Sequence, residues 1–221
     1  MVSGRDGYNV RSLFTVGTST PNGYTPPGIL DGIGAYSLDK DTVRLFVNHE
    51  LGNTAGYPYT VNDSLSLTGA RVSYFDINKN TLAVESGGLA YSEIYGYDGQ
   101  LITNSNQLGI PLLQNGQIVY QGRNSNGTTA GLDRFCSGSM YEANQFGAGM
   151  GFADRIYFAP QETTNGVYMP IDVATNKAYL APALSYGHWE NLAVLDTGNP
   201  NTVAMVLGND WSSSPVPLLL Y

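Results

Sequence analysis

A hairpin pattern recurs along this sequence: an apolar strand, a short polar turn and a returning strand. It occurs at residues 31–50, 72–84 and 167–180, with an Asp just before or within each turn. Apolar runs rich in Val, Ile, Tyr and Phe, bounded by Asn, Asp and Lys, are typical of β-hairpins, and an Asp at such a position can bond the backbone of the turn. The chain is therefore predicted to be all-β. Repeated hairpins favour part of a β-propeller, with a β-sandwich as the alternative.

Composition agrees with this fold class. Charged residues make up 13% of the chain, while Gly (27) and Tyr (16) are abundant. Such a composition suits short strands and tight turns, because long helices favour Ala, Glu, Lys and Leu. Residues 1–221 are predicted to form a single domain, which we expect to be part of a larger propeller.

The charge excludes one class of partner. The formal net charge is -8 and the pI is about 4.5, so the basic surface that binds nucleic acid is not expected. Acidic residues in Gly-rich turns suit hard cations such as calcium instead. No apolar run approaches the roughly 20 residues of a membrane span. The single Cys allows no intrachain disulfide.

Two stretches are predicted to lack regular structure. Residues 1–30 contain Pro-Asn-Gly and Pro-Pro-Gly turn signals and are expected to form an extended loop. Residues 96–131 are rich in Gly, Asn, Gln and Ser and are expected to form a long insertion across a surface, with a lid as one role.

Polar groups follow several predicted strands. The strand Leu45-Phe46-Val47 leads directly into Asn48, His49 and Glu50. Glu162, Glu190 and Asp210 also lie at strand edges, and Cys136 lies in the acidic and basic stretch 133–142. A rigid scaffold that presents such groups at strand ends is a common basis for binding or catalysis. The Cys has three interpretations: a buried small hydrophobe, a nucleophile or a metal ligand.

Several of these stretches, in this order, resemble one family. They are Asp-Gly-Ile-Gly-Ala-Tyr at 31–36, Val-Asn-His-Glu-Leu at 47–51, Leu-Thr-Gly-Ala-Arg-Val-Ser at 67–73, Arg-Phe-Cys-Ser at 134–137, Asp-Arg-Ile-Tyr-Phe-Ala at 154–159, Ile-Asp-Val-Ala-Thr at 171–175 and Trp-Glu-Asn at 189–191. Together they resemble the PhoX-type alkaline phosphatases, in particular their cyanobacterial-style branch. The resemblance covers most of residues 28–221.

The resemblance implies a six-bladed β-propeller. It further implies an exported, monomeric phosphomonoesterase that acts on phosphate esters with two ferric iron ions and several calcium ions. Family members are much longer, so we expect this chain to be about the N-terminal half, to lack part of the metal site and to be inactive alone. We expect a periplasmic or extracellular location, although no signal segment is recognised in this chain.

The resemblance also implies roles for individual residues. Cys136, Glu50, Glu162 and Glu190 correspond to metal ligands, and Asn48 or Arg134 to a phosphate contact. The family usually shows Gly-Glu-Glu where this chain has Pro-Gln-Glu at 160–162, so one acidic ligand is replaced by Gln161. For His49, a ligand and a supporting partner of a ligand remain open.

The residue types agree with this chemistry. A net-acidic protein can bind phosphate esters where bound metal ions reverse the local field. Two alternatives remain. One is a non-catalytic propeller that binds a partner or glycan, with Cys136 in the core and with Glu50 and Glu190 as structural acceptors. The other is a different metal-dependent propeller hydrolase, phytase-like or lactonase-like, because one fold hosts many activities.

Overall fold

The protein is an all-β molecule. The computed structural model describes residues 6–210 and 218–221. Within these residues the chain forms eighteen β-strands and two short 3-10 turns, Ser105–Leu108 and Pro182–Leu184. The all-β prediction is confirmed. In the described part of the chain, no helix is long and apolar enough to cross a membrane.

The first sheet has four antiparallel strands in chain order. It contains β1 (Leu30–Ser37), β2 (Thr42–His49), β5 (Arg71–Asn78) and β6 (Val84–Leu89). The last four residues of strand β2, 46–49, are all buried. The hairpins predicted at residues 31–50 and 72–84 are thus confirmed as β1–β2 and β5–β6.

A small sheet fills the connection between β2 and β5. It pairs β3 (Tyr59–Val61) with β4 (Leu65–Gly69), and the short strand β10 (Gly131–Leu132) runs parallel to β4. The insertion therefore returns the chain to β5 while packing Tyr59, Val61, Leu65 and Leu67 into the core.

The second large sheet has five strands. Its order is β11 (Ser139–Tyr141), β12 (Ile156–Pro160), β14 (Tyr168–Asp172), β15 (Lys177–Tyr179) and β7 (Glu93–Tyr95). All neighbours are antiparallel except β15 and β7, which are parallel. The third predicted hairpin is confirmed as β14–β15.

The third large sheet is antiparallel, and its first strand lies between β12 and β14 of the second sheet in the chain. It contains β13 (Glu162–Gly166), β16 (Gly187–Leu195), β17 (Ala204–Asn209) and β18 (Leu219–Leu220). The described residues form no closed ring of sheets.

Two predictions about irregular segments have different outcomes. Residues 6–29 contain no strand, and Phe14 and Asn22 hold this loop against the first sheet, Phe14 by stacking on Phe75 at 4.2 Å. The insertion at 96–131 is more regular than predicted. It contains the hairpin β8 (Ile110–Gln114) and β9 (Gln117–Gln121), whose cross-strand pairs the polar composition did not signal.

The predicted turn chemistry is correct for two of the three hairpins and wrong for the other. Asp39 and Asp172 each accept hydrogen bonds from backbone N–H groups of their own turns, as predicted. Asp76 instead binds Arg44, and the turn after β5 is bonded by Asn78. A carboxylate placed opposite a guanidinium on the neighbouring strand forms an ion pair in preference to a turn.

Aromatic contacts join the sheets into one body. The larger core lies between the first and second sheets, where the Phe46 and Tyr157 rings meet edge to face at 5.4 Å. A second cluster joins the second and third sheets, with the Tyr168 and Trp189 rings 5.1 Å apart. This stacking of consecutive sheets brings the ends of β1, β2, β13 and β16 near the segment before β11.

Candidate metal centre

Cys136 lies in the segment that leads into β11 and is tied to the first sheet through its backbone. Its carbonyl oxygen accepts hydrogen bonds from the Gly32 backbone N–H at 2.9 Å and from Asn48 Nδ2 at 3.2 Å. A side chain at position 32 would place its Cβ 2.1 Å from the Gly138 nitrogen, so this close approach requires glycine. The thiol is thereby fixed beside the start of β1.

Asn48 is the main support of this segment. It is fully buried, and Nδ2 also donates to the Ser137 carbonyl at 2.6 Å, while Oδ1 accepts from the Tyr157 hydroxyl at 2.9 Å. Both polar atoms of the side chain are thus used inside the protein. The phosphate contact predicted for Asn48 stays a prediction, and the geometry gives this residue a positioning role.

Five side chains form two overlapping groups of possible metal ligands. In each group the ligand atoms lie within 4.8 Å of one another, and Cys136 belongs to both. One group is Asp31, Glu50 and Cys136, and the other is Cys136, Glu162 and Glu190. All four predicted ligands are therefore brought together, from segments far apart in the sequence.

Asp31 is a candidate ligand that the sequence did not predict. It opens the Asp-Gly-Ile-Gly-Ala-Tyr motif, and its Oδ2 lies 3.6 Å from Cys136 Sγ. The register pairs Leu30 with His49, which places Asp31 and Glu50 at the same end of the sheet. The signal in the sequence is the pairing of the predicted β1 with β2, which puts the first residue of one strand beside the last residue of the other.

Arg134 bridges the two groups. Its Nη2 donates to Glu50 Oε1 at 2.8 Å and to Glu162 Oε2 at 2.9 Å. The backbone is held on both sides, because the Arg134 N–H donates to the Leu51 carbonyl and its carbonyl accepts from the Glu162 N–H, both at 2.9 Å. Its side chain is 47% exposed, so the guanidinium can reach a ligand from solvent while bound to the acidic cluster.

The electrostatics of the centre are dominated by negative charge. Burial, a hydrogen bond with Glu190 and the charges of nearby carboxylates all raise the pKa of the Cys136 thiol. Burial raises the pKa of Glu50, and the charges of Asp31, Glu162 and Glu190 add to this while Arg134 opposes it. The hydrogen bond that Arg134 donates to Glu162 raises the pKa of Arg134. A bound cation would reverse these effects and favour the thiolate.

His49 lies outside both ligand groups. Its Nδ1 is 3.1 Å from the Pro27 carbonyl and its Nε2 is 2.7 Å from Ser73 Oγ. Burial, with the charge of Arg71, lowers the pKa of His49 to about 4, so the ring is neutral at pH 7. Of the two interpretations left open, the geometry favours a supporting residue that anchors the end of β2.

Gln161 and Glu162 point to different environments, as alternation along a strand requires. Gln161 is buried, and its Oε1 accepts from the Val167 backbone N–H at 3.3 Å. Glu162 joins the cluster. The replacement of an acidic residue by Gln161 therefore removes no side chain from either ligand group described here. Asp210, the remaining strand-edge carboxylate, belongs to neither group.

The donor set fits the metals that were predicted. Carboxylates suit calcium and ferric iron, and a thiolate adds a soft ligand that iron accepts. Comparison with known proteins adds no assignment: no family model, no curated protein and no solved structure matches this chain.

Proposed function

We propose that this chain forms the metal-binding part of a PhoX-type phosphomonoesterase, an alkaline phosphatase that releases inorganic phosphate from phosphate esters. The observation that carries the proposal is the convergence of four carboxylates from the first and third sheets with the Cys136 thiol from the segment before β11, with Arg134 at their edge. The ordered motifs that resemble this family supply the reaction class.

The sheet arrangement supports a propeller as the scaffold. Each of the three large sheets is built mainly of antiparallel strands, and their strands follow chain order apart from β7 at the edge of the second sheet. Consecutive sheets of this kind resemble successive blades, whose inner ends meet around a central axis. We propose that three blades of a six-bladed propeller are present, and that the remaining blades lie in the rest of a larger protein.

The five side chains would hold the metal ions. Cys136, Glu50, Glu162 and Glu190, with Asp31, supply the ligands for ferric iron and calcium. When bound, these ions neutralise the phosphate dianion and provide an activated oxygen nucleophile. The acidic cluster alone would repel phosphate, so the ions are needed before an ester can approach.

Two residues of the chain have further roles, Arg134 in phosphate binding and Asn48 in positioning. Arg134 has spare donors beyond the Nη2 bonds to Glu50 and Glu162, and its half-exposed guanidinium can bind a phosphate oxygen and stabilise the charge that develops there. Asn48 acts through Cys136, because its amide fixes the carbonyl groups on either side of the Cys136–Ser137 peptide. We further propose an exported, monomeric enzyme whose partners are phosphate monoesters.

The test is hydrolysis of p-nitrophenyl phosphate by the purified full-length protein. We expect phosphate release that a chelator abolishes and that iron with calcium restores. The variant Glu142→Gln is a suitable control because Glu142 pairs with Arg155, outside the ligand groups. Protein that contains neither iron nor calcium, or activity that is indifferent to chelation, would contradict the proposal. If the protein hydrolyses a lactone or phytate in preference to simple phosphate esters, that compound class replaces phosphate monoesters as the proposed substrate.

A further inference from the structure

Arg71 is a buried cation without a carboxylate partner. It begins β5 and is fully buried. Its Nη2 donates to the Tyr57 carbonyl at 2.7 Å and weakly to the Gly69 carbonyl at 3.4 Å. Nε and Nη1 donate to no acceptor in the described chain, and no described carboxylate forms an ion pair with this residue.

Three other arginines, by contrast, do form ion pairs with carboxylates. Arg44 binds Asp76, Arg155 binds Glu142, and Arg134 binds two glutamates. All three are more exposed than Arg71, which is the one with no exposed surface. A charge removed from water without a partner carries a large desolvation cost, so the position of Arg71 calls for a compensating anion.

Aromatic rings surround this guanidinium at the base of a cavity. The Arg71 Cζ lies 4.0 Å from the centre of the Tyr59 ring and 5.1 Å from that of Tyr57. The cavity has a volume of about 470 Å³ and is lined by Tyr24, Tyr57, Tyr59, Arg71 and Leu89, among others. Tyr57 is 41% exposed and forms the outer wall.

The ring faces compensate the charge only in part. Stacking a cation on an aromatic face contributes about 0.5–2 kcal/mol, but it satisfies no N–H donor. The tyrosines cannot supply negative charge either, since burial raises the pKa of Tyr24 and Tyr57, and raises that of Tyr59 to about 12. All three are neutral at pH 7.

We propose that this cavity is a binding site for a small molecule that carries an oxyanion, phosphate or carboxylate, on a planar apolar body. Because Nε and Nη1 are buried, the half-exposed Tyr57 ring, whose centre lies 5.1 Å from the Arg71 Cζ, must turn aside before the oxyanion can accept these two N–H donors. The planar body then lies against the tyrosine rings. The volume lies within the range of about 300–1,000 Å³ found for small-molecule sites. The site is separate from the Cys136 centre, with which it shares no residue, and it does not depend on the proposed phosphatase activity.

The site is tested by isothermal titration of the full chain with phenylphosphonate, inorganic phosphate and benzoate. We expect phenylphosphonate to bind more tightly than inorganic phosphate, because only it offers a ring to the tyrosines. Benzoate distinguishes the oxyanion: comparable binding assigns carboxylates as ligands, and much weaker binding assigns phosphates. Failure of all three to bind at millimolar concentration overturns the proposal.

Matched variants locate the binding. Arg71→Met should weaken phenylphosphonate binding by about tenfold or more, since hydrogen bonds to a charged group are lost. Arg155→Met removes the same charge at the Glu142 pair, outside both the cavity and the ligand groups, and should leave phenylphosphonate binding unchanged. Binding that Arg71→Met leaves unchanged overturns the proposal.

A second variant keeps the test decisive if Arg71→Met does not fold. Tyr57→Ala removes the exposed outer wall, and it should weaken phenylphosphonate binding more than phosphate binding. If Tyr57→Ala leaves the affinities for phenylphosphonate and for phosphate both unchanged, the stacking arrangement is wrong and the proposed site is overturned.

Discussion

The Cys136 centre and the Arg71 cavity have opposite charge imbalances. In the centre, four carboxylates and a thiol share one guanidinium. In the cavity, a fully buried guanidinium faces three neutral tyrosines and no carboxylate. The two regions begin at neighbouring points of one strand pair, because Glu50 follows His49 and His49 pairs with Arg71. The two regions therefore favour partners of opposite charge, and we propose cations for the centre and an anion for the cavity.

The same strand pair also contains a balanced site. Arg44 on β2 binds both oxygens of Asp76 on β5, at 2.7 and 2.9 Å, and stacks 4.2 Å above the Tyr74 ring. This pair combines an arginine, a tyrosine ring and a carboxylate within one sheet. The fold can therefore pair an arginine with a carboxylate inside one sheet, which it does not do at the fully buried Arg71.

The largest expected effect is that of Cys136→Ser on metal binding. The thiolate belongs to both ligand groups, so its loss should weaken iron binding by more than the roughly 100-fold that loss of an outer partner costs. Elemental analysis after dialysis measures this, and circular dichroism checks the fold. If the variant retains iron at the wild-type level, Cys136 is not an iron ligand.

Arg134→Gln should separate phosphate binding from metal binding. We expect kcat/KM for p-nitrophenyl phosphate to fall by about 100-fold, as for the loss of one charge-stabilising donor, while iron content is retained. Arg71→Gln, the matched change in the other region, should leave kcat/KM within about twofold. A loss of iron together with activity in Arg134→Gln would show that this residue only maintains the carboxylates.

Asn48→Ala should act through stability. The change leaves the Tyr157 hydroxyl and two carbonyl groups without their buried partner, which should cost about 2–4 kcal/mol in the free energy of unfolding. Denaturant unfolding measures the cost. Unchanged stability with a large loss of activity would instead support the phosphate contact predicted from the sequence.

The smallest effect on stability is expected at the Arg44–Asp76 ion pair. Burial acts to raise the pKa of Asp76, but hydrogen bonds from Arg44 and Ser86 lower it overall. Asp76→Asn should cost about 1–2 kcal/mol at neutral pH. Because the folded-state pKa is lowered, this contribution is present above about pH 4 and is lost as the pH falls through the lowered pKa.

The pH series therefore has a clear signature. The stability difference between wild type and Asp76→Asn should shrink in acid, whereas Asp41→Asn, at the exposed Lys40–Asp41 pair, should change stability little at any pH. A difference for Asp76→Asn that persists unchanged to pH 2 would mean that the ion pair does not carry the effect.

Much of the fold could be predicted because its signals are local. Alternating apolar residues and polar turns identified β1–β2, β5–β6 and β14–β15, since side-chain alternation is a property of the strand itself. The β8–β9 hairpin was missed because its short apolar runs lie within a stretch dominated by Gly, Asn, Gln and Ser, and both strands are largely exposed. Strand-edge position identified Glu50, Glu162, Glu190 and Asp210, and the family resemblance singled out the three glutamates as candidate ligands.

The remaining parts depend on contacts between distant segments. Asp31 reaches Cys136 across 105 residues, and Asn48 reaches the Ser137 carbonyl across 89. The unpaired state of Arg71 is likewise visible only once the sheets have closed around it. No local pattern encodes such distances, because they are set by how the sheets pack.

The most direct test of the central claim is a crystallographic anomalous difference map collected at the iron absorption edge from protein supplied with iron and calcium. We expect an iron peak within bonding distance of Cys136 Sγ, with oxygens from the surrounding carboxylates as further ligands. The Arg71 cavity should show no metal. A map without iron at Cys136, or with iron bound only elsewhere, would contradict the assignment of this cluster as a metal centre.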